Sequence, residues 1–169
     1  MSIKWLNALI MANKIKTQTE LISILEDFRK KGKKIIFTNG CFDILHVGHI
    51  KYLREAKGYG DILIVAINSD SSVKRLKGDK KPLIPQSERA EVLSALEMVD
   101  YVTIFDEDTP YEIIKELQPD ILIKGGDWTV EKIVGKDIVE KIGGKVLSIP
   151  FHKGASTTGI IERVLERYK

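Results

Sequence analysis

The chain alternates between two kinds of apolar pattern, and this alternation constrains its fold more than any other feature. Short runs at residues 35–38 and 62–67 are almost continuously apolar, which is typical of strands buried on both faces of a parallel sheet. Longer stretches between such runs repeat apolar residues every three or four positions, as amphipathic helices do. A chain of this kind favours a sheet that is covered by helices on both faces.

The alternation continues to the end of the chain. We predict strands at residues 35–38, 62–67, 101–105, 121–123 and 146–149, and helices at 21–31, 47–57, 87–98, 134–142 and 157–167, with a further helix opening at 109–112. Thr17 and Glu20 have the spacing of a capping box, and so do Thr109 and Glu112, where Pro110 would take the first helical position. The alternation predicts a Rossmann-like α/β fold, a doubly wound parallel sheet of about five strands in a three-layer α/β/α arrangement.

Length and composition limit the classes of function. The chain has 169 residues, of which 43% are hydrophobic and 30% charged, and this suits one globular domain. A net charge of +3 is too small to indicate nucleic-acid binding. The single cysteine, Cys41, excludes an internal disulfide framework and suits the reducing cytoplasm. The apolar stretch at residues 5–11 is too short to span a bilayer, so we expect no membrane partner.

Two histidines open the helix that follows the first predicted strand. Residues 39–49 read Asn-Gly-Cys-Phe-Asp-Ile-Leu-His-Val-Gly-His, so His46 and His49 share one face of that helix. Gly48 leaves the backbone open to a ligand, and the free amides of a helix N-terminus attract phosphate. The pattern predicts a phosphate site with two histidine donors at the edge where doubly wound sheets bind ligands. The alternative is a pair of unrelated histidines that share this spacing by chance.

A metal site at these histidines is a weaker interpretation. Apart from Cys41, no further cysteine or histidine lies close to them in the sequence, whereas zinc usually takes three or four protein ligands. We therefore predict no metal ion held by the protein. Cys41 has no neighbour that would activate it apart from the helix start, so we expect it to pack near the ligand and not to act as a nucleophile.

Further candidate residues follow the other predicted strands. Ser156, Thr157 and Thr158 begin the last helix and offer hydroxyls and amides to a phosphate, although Ser156 also suits a plain helix cap. Lys77 lies in a basic segment that we interpret as a mobile loop closing over phosphates. Arg89 either reaches the same site or forms a surface ion pair with a nearby acid.

The segment after the fourth predicted strand combines two glycines, a carboxylate and an aromatic ring. It reads Lys124-Gly125-Gly126-Asp127-Trp128. Its glycines are explained either by an ordinary turn or by the close approach of a ligand to the backbone.

Two of these segments resemble known signatures. His46-Val47-Gly48-His49 resembles the HxGH signature of the cytidylyltransferase-like nucleotidyltransferase superfamily, and residues 154–161 resemble its C-terminal Ser-Thr-Thr motif. The resemblance implies that His46, His49 and Lys77 stabilise charge during catalysis. It implies nucleotide binding by Gly40, Cys41, Phe42, His46, Gly48, His49, Gly125, Asp127, Ser156, Thr157 and Thr158. It makes residues 33–169 the nucleotidyltransferase domain, preceded by an N-terminal extension and first helix at 1–32.

Within that superfamily, residues 33–161 resemble the adenylyltransferase branch that acts on D-glycero-D-manno-heptose 1-phosphate in lipopolysaccharide core synthesis. The matching phrases are residues 38–49, 66–70, 74–79, 107–110, 124–127 and 156–158. This branch implies ATP and a sugar 1-phosphate as substrates, ADP-heptose and pyrophosphate as products, and Mg²⁺ carried mainly by the triphosphate. The superfamily also implies a homodimer without a nucleic-acid partner.

Three other interpretations stay open at this point. Glycerol-3-phosphate cytidylyltransferases share both signatures but commonly carry an arginine five residues before the motif serine, where this chain has Phe151. A module that senses nucleotides without turnover would use the same residues. A fragment of a class I aminoacyl-tRNA synthetase would also contain the histidine pattern, but the small net charge and the lack of room for a tRNA-binding domain argue against it.

Overall fold

A five-stranded parallel sheet forms the centre of the structure, a computed structural model that describes residues 14–126, 128–150, 154 and 156–168. The strand order is β3-β2-β1-β4-β5, and every neighbouring pair is parallel. The strands are β1 (Ile35–Gly40), β2 (Ile62–Asn68), β3 (Tyr101–Phe105), β4 (Ile121–Gly125) and β5 (Lys145–Ile149). The predicted fold class is confirmed.

Helices connect the strands, and most predicted boundaries hold to within one or two residues. The helices are α1 (Gln18–Lys30), α2 (Val47–Lys57), α3 (Asp70–Lys77), α4 (Gln86–Ser94), α5 (Tyr111–Leu117), α6 (Lys136–Lys141) and α7 (Thr157–Arg167), with a 3₁₀ turn at Val130–Lys132. The capping box of Thr17 and Glu20 is present at the start of α1. None of the helices in the described part of the chain has the length and apolar content needed to cross a membrane.

Each face of the sheet has its own core. Alternate residues of β2 enter the two cores, Leu63, Val65 and Ile67 on one side and Ile62, Ile64 and Ala66 on the other. Helices α2 and α4 cover the first side, while α1, α5 and α6 cover the second. This three-layer packing explains why β2 reads as an uninterrupted apolar run, because neither of its faces meets water.

The order of the strands reverses beside β1. The chain runs from β1 outward through β2 to β3, and then crosses to β4 on the other side of β1. Ile36 pairs with Leu63 of β2 and with Ile121 of β4. The crevice between the carboxyl ends of β1 and β4 is therefore the switch point at which sheets of this type bind ligands.

The basic segment predicted as a loop is a helix, α3, up to Lys77. Ser69 caps this helix, since its hydroxyl accepts a hydrogen bond from the Ser72 amide at 3.0 Å. Val73 is fully buried and anchors the helix to the rest of the protein. The prediction of a loop was wrong because Val73 is the only buried apolar residue of this helix, which gives a weak helical pattern, and the Ser69 cap then determines where the helix begins.

Three other helix starts and ends differ from the prediction. Pro110 is the N-cap of α5 and not its first helical residue, and no side chain caps that helix, so the predicted box of Thr109 and Glu112 is wrong. Helix α4 ends at Ser94 instead of residue 98, in a turn that leads to the buried Val99. Helix α6 begins after Gly135, whose φ of 89° favours glycine.

The hydroxyl of Tyr52 links β1 and β4 beneath the switch point. It lies 2.5 Å from the Thr38 hydroxyl and donates to the Ile123 carbonyl at 3.2 Å.

We expect Tyr52→Phe to lower the free energy of unfolding by about 1 to 2 kcal/mol, because two buried polar groups lose their partner. Urea denaturation checks this. Tyr59→Phe, at an exposed tyrosine, is the control that should change nothing, and equal stabilities of the two variants would contradict the assignment.

Candidate functional site

A cavity of about 1210 Å³ opens at the switch point. It is lined by all the predicted site residues that the structure describes: Gly40, Cys41, Phe42, His46, Gly48, His49, Lys77, Gly125, Ser156, Thr157 and Thr158. The predicted Asp127 lies outside the described residues. The structure thus brings together residues from both ends of the chain, while their roles stay predictions.

The two histidines cap helix α2 with their own rings. The Gly48 amide donates to Nδ1 of His46 at 3.2 Å, and the His46 amide donates to Nδ1 of His49 at 3.3 Å. The rings stack with centroids 3.9 Å apart. Because each Nδ1 accepts a hydrogen bond, we assign the proton of each neutral imidazole to Nε2. Each ring then has one N–H that the described part of the protein leaves without an acceptor.

Burial keeps both histidines uncharged at neutral pH. Desolvation lowers the pKa of His46. The pKa of His49 falls from its ordinary 6.5 to about 4, first through burial and then through the nearby charges of His46 and Lys77. Neutral rings can stack closely without charge repulsion. They also donate hydrogen bonds to an anion without the proton exchange that a charged histidine would bring near pH 7.

The start of α7 forms the second wall of the cavity. The Thr157 hydroxyl donates to the Ile44 carbonyl at 3.4 Å, so the two signature segments are in direct contact. Ser156 caps the helix by accepting from the Gly159 amide at 3.0 Å, as its alternative interpretation predicted. Helices α2 and α7 both begin at the cavity, and their N-terminal amides create partial positive charge there.

Lys77 and Phe42 complete the surroundings of His49. Lys77 is exposed at the end of α3, and its charge reaches His49. The Phe42 ring is buried and lies 5.3 Å from the His49 ring. Its φ of 46° is unusual for a residue with a side chain and costs backbone energy. The left-handed turn at Phe42 directs the loop after β1 back towards the sheet.

Two glycines of the cavity are required by protein packing. A Cβ atom at Gly125 would lie 3.0 to 3.3 Å from ring carbons of Tyr52, and one at Gly40 would lie 3.1 Å from the Phe42 ring. The missing side chains therefore allow these two rings to pack. Cys41 is partly buried, and its Sγ lies 3.9 Å from Oδ1 of Asn68, so packing beside the cavity accounts for it.

Arg89 supports the loops around the site from a buried position. It therefore neither reaches the site nor forms a surface ion pair, the two alternatives that the sequence suggested. Its side chain is fully buried and pairs with Asp70 at 2.8 Å. It also donates to the carbonyls of Asn68 and Ile84, at 2.9 and 3.0 Å, and to that of Cys41. One guanidinium thus ties together the loops after β1 and β2 and the segment before α4. Arg89 is absent from the cavity lining.

Sequence reasoning missed Asp43 as a functional residue. Its carboxylate accepts from the amides of Leu83 and Ile84, at 2.7 and 2.9 Å, and from Lys81 at 3.3 Å. These bonds fasten the segment after α3 to the loop of the histidine signature. The only signal in the sequence was a carboxylate in the middle of that loop.

Among the described residues, no group of three or more His, Cys, Asp or Glu side chains is arranged to hold a metal ion.

Arg89→Met should destabilise the protein. We expect a loss of about 3 kcal/mol in the free energy of unfolding, because Asp70 and three carbonyl groups lose a buried charged donor. Urea denaturation measures the loss. The control is Arg54→Met at an exposed position of α2, where we expect a change within about 0.5 kcal/mol. A loss at Arg89 no larger than at Arg54 would show that the clamp does not hold the loops.

The lowered pKa of His49 should make stability depend on pH. Between pH 6.5 and about 4, the unfolded chain binds a proton at His49 that the folded chain does not, so the free energy of unfolding falls as pH falls. His49→Gln keeps an acceptor for the His46 amide but cannot titrate. From pH 7 to 4.5, chemical denaturation should show the wild type losing about 1 to 2 kcal/mol more than this variant, since the ring is only half-buried. Parallel losses would place the pKa of His49 near its ordinary value.

Comparison with known proteins identifies close relatives of the chain. The bifunctional protein HldE of Geobacter metallireducens is 57% identical over 155 residues, which are 92% of this chain and 32% of that protein. HldE of Syntrophotalea carbinolica is 55% identical over 163 residues, covering 96% of this chain and 33% of the relative. The chain spans about a third of the length of these curated relatives.

Two solved structures share the fold. The lipopolysaccharide core biosynthesis protein from Thermoplasma volcanium superposes with a TM-score of 0.60 and 30% identity, over 72% of this chain and 100% of that one. The pantoate-beta-alanine ligase from Francisella tularensis has a TM-score of 0.61 at 18% identity, over 82% of this chain and 67% of the ligase, and this likeness shows the fold alone. Residues 37–163, most of the chain, match the cytidylyltransferase-like family, and the chain therefore belongs to that family.

Proposed function

We propose that the chain transfers AMP from ATP to D-glycero-D-manno-heptose 1-phosphate and releases pyrophosphate. The observation that carries this proposal is the pair of neutral histidines at the start of α2. They line the cavity together with the start of α7, and their Nδ1 atoms are occupied by capping bonds, so that Nε2 is the donor of each ring. Donors fixed in this way can stabilise the negative charge that develops on phosphate oxygens during phosphoryl transfer. Such a reaction does not require a nucleophile from the protein.

The triphosphate of ATP would lie between the two helix starts. His46 and His49 would donate to its oxygens from one side, and the hydroxyls and amides of Ser156, Thr157 and Thr158 from the other. The capping bonds hold both imidazoles in place before the substrate arrives, so little reorganisation is needed at the moment of reaction. Lys77, at the exposed end of α3, would add a positive charge at the mouth of the cavity.

The reaction is a direct in-line displacement. An oxygen of the sugar 1-phosphate forms a bond to the α-phosphorus of ATP, and the bond from that phosphorus to the bridging β-oxygen breaks. Pyrophosphate leaves with the electron pair of the broken bond. Mg²⁺, bound mainly by triphosphate oxygens, would neutralise the leaving group. No covalent bond to the protein forms at any stage.

Similarity supports the choice of substrates. The chain shares six phrases with the heptose 1-phosphate adenylyltransferase branch, including residues 38–49 and 74–79. Its relatives of about 55% identity are named as bifunctional proteins, and the chain spans one part of them. A structural relative is named as a lipopolysaccharide core biosynthesis protein. A cytoplasmic location, with its supply of ATP and reducing conditions for Cys41, and a homodimeric assembly are part of the same proposal.

The direct test is pyrophosphate release with each nucleotide. Purified protein is incubated with Mg²⁺, heptose 1-phosphate and either ATP or CTP, and glycerol 3-phosphate with CTP forms a parallel reaction. We expect release with ATP and heptose 1-phosphate. Faster release from glycerol 3-phosphate and CTP would contradict the proposed substrates. Binding of ATP without release from any pair would favour a nucleotide sensor.

Two variants of His46 separate its chemical role from its role as a helix cap. Asparagine is a favoured N-cap, so His46→Asn keeps an acceptor for the Gly48 amide and removes the Nε2 donor. We expect kcat to fall about 10²- to 10³-fold with stability unchanged. His46→Ala should lose both activity and about 1 kcal/mol of stability. Full activity in His46→Asn would show that the ring is only a cap.

A further inference from the structure

Lys124 is a half-buried cation in the wall of the cavity. It lies near the end of β4, beside the switch point. Its ammonium group donates to the backbone carbonyl of Asn39 at 3.3 Å and to Oδ1 of the same residue at 3.1 Å. Both acceptors are neutral. Among the described residues, no carboxylate forms an ion pair with Lys124.

The surroundings of Lys124 make its charge costly in the free protein. Burial lowers the pKa of Lys124; the neighbouring Cys41 acts in the opposite direction, and the charge of Lys77 lowers the pKa further. The ammonium group has three donors, and Asn39 takes two of them. A buried charge without a charged partner is normally avoided. An anionic ligand would therefore offset a cost that the side chains in the described part of the chain leave in place.

The position of Lys124 distinguishes it from the donors proposed for ATP. His46, His49 and Thr157 lie at the starts of two helices, whereas Lys124 lies near the end of strand β4, next to the aromatic Trp128. The ammonium nitrogen lies 5.9 Å from the centre of the Trp128 ring. The cavity is therefore lined on this side by a cation and a half-exposed aromatic face, a combination that suits a phosphorylated sugar.

We propose that Lys124 binds the phosphate group of the sugar 1-phosphate, the acceptor of AMP, and is the residue that brings this phosphate up to the α-phosphate of ATP. The proposal rests on the function proposed above. The reaction must bring two anionic phosphates together, and their repulsion opposes it. A fixed cation on the acceptor side reduces this repulsion, while the helix starts hold the triphosphate.

Steady-state kinetics of Lys124→Met test this role. We expect KM for the sugar 1-phosphate to rise about 10- to 100-fold, as for the loss of a charged hydrogen bond, while KM for ATP stays unchanged. Lys124→Arg should restore part of the affinity for the acceptor. The control is Lys51→Met, at an exposed lysine of α2 that does not line the cavity, which should leave both constants unchanged. An equal rise in KM for ATP, or no rise for the acceptor, would overturn the proposal.

A binding measurement distinguishes failure of this inference from failure of the proposed function. The chain has two tryptophans, so Trp5→Phe leaves Trp128 as the single reporter beside Lys124. With a non-hydrolysable ATP analogue and Mg²⁺ present, inorganic phosphate should change the fluorescence of Trp128. This response should weaken in Lys124→Met and persist in Lys51→Met. A response that depends on Lys124 supports the phosphate contact even if heptose 1-phosphate proves not to be the substrate. An equal response in both variants overturns the proposal that Lys124 binds this phosphate.

Discussion

The histidine caps of helix α2 are the interaction on which the rest of the site depends. The backbone amides of Gly48 and His46 donate to Nδ1 of His46 and His49. These two bonds start the helix, fix the orientation of both rings and determine which nitrogen carries the proton. A serine or aspartate cap would start the helix equally well but would leave no Nε2 donor at the cavity. In the function that we propose, the same bonds thus serve both stability and phosphate recognition.

Buried polar side chains hold the surrounding loops in the position that this arrangement needs. Arg89 joins the loops after β1 and β2 from below, and Asp43 fastens the segment after α3 to the signature loop. Neither interaction requires a ligand. The cavity is therefore largely formed before substrate arrives, which reduces the entropy that binding must overcome. The exposed Lys77 and the half-buried Lys124 leave positive charge available for the substrates.

The sequence predicted the fold well because the decisive signals are local. Strands β2 and β4 are short apolar runs, and α1 and α7 begin at recognisable caps, so the fold class and the edge of the sheet that carries the cavity followed from general rules for parallel sheets. Helix α3 was missed because Val73 is its only buried apolar residue. The roles of Arg89 and Asp43 depend on contacts between distant segments. The spacing of residues along the sequence does not reveal contacts between distant segments. For the same reason the sequence did not show that the Tyr52 ring occupies the space beside Gly125.

The central claim is that two neutral histidines present Nε2–H donors to the triphosphate. Long-range ¹H–¹⁵N NMR correlation of the imidazole rings tests it most directly, because the chain has three histidines and His152→Asn leaves only the pair of interest. At pH 7 we expect both rings to be neutral and protonated at Nε2. Addition of Mg²⁺ and a non-hydrolysable ATP analogue should then shift both Nε2 signals. Rings that carry the proton on Nδ1, or Nε2 signals that do not respond to the nucleotide, would contradict the account.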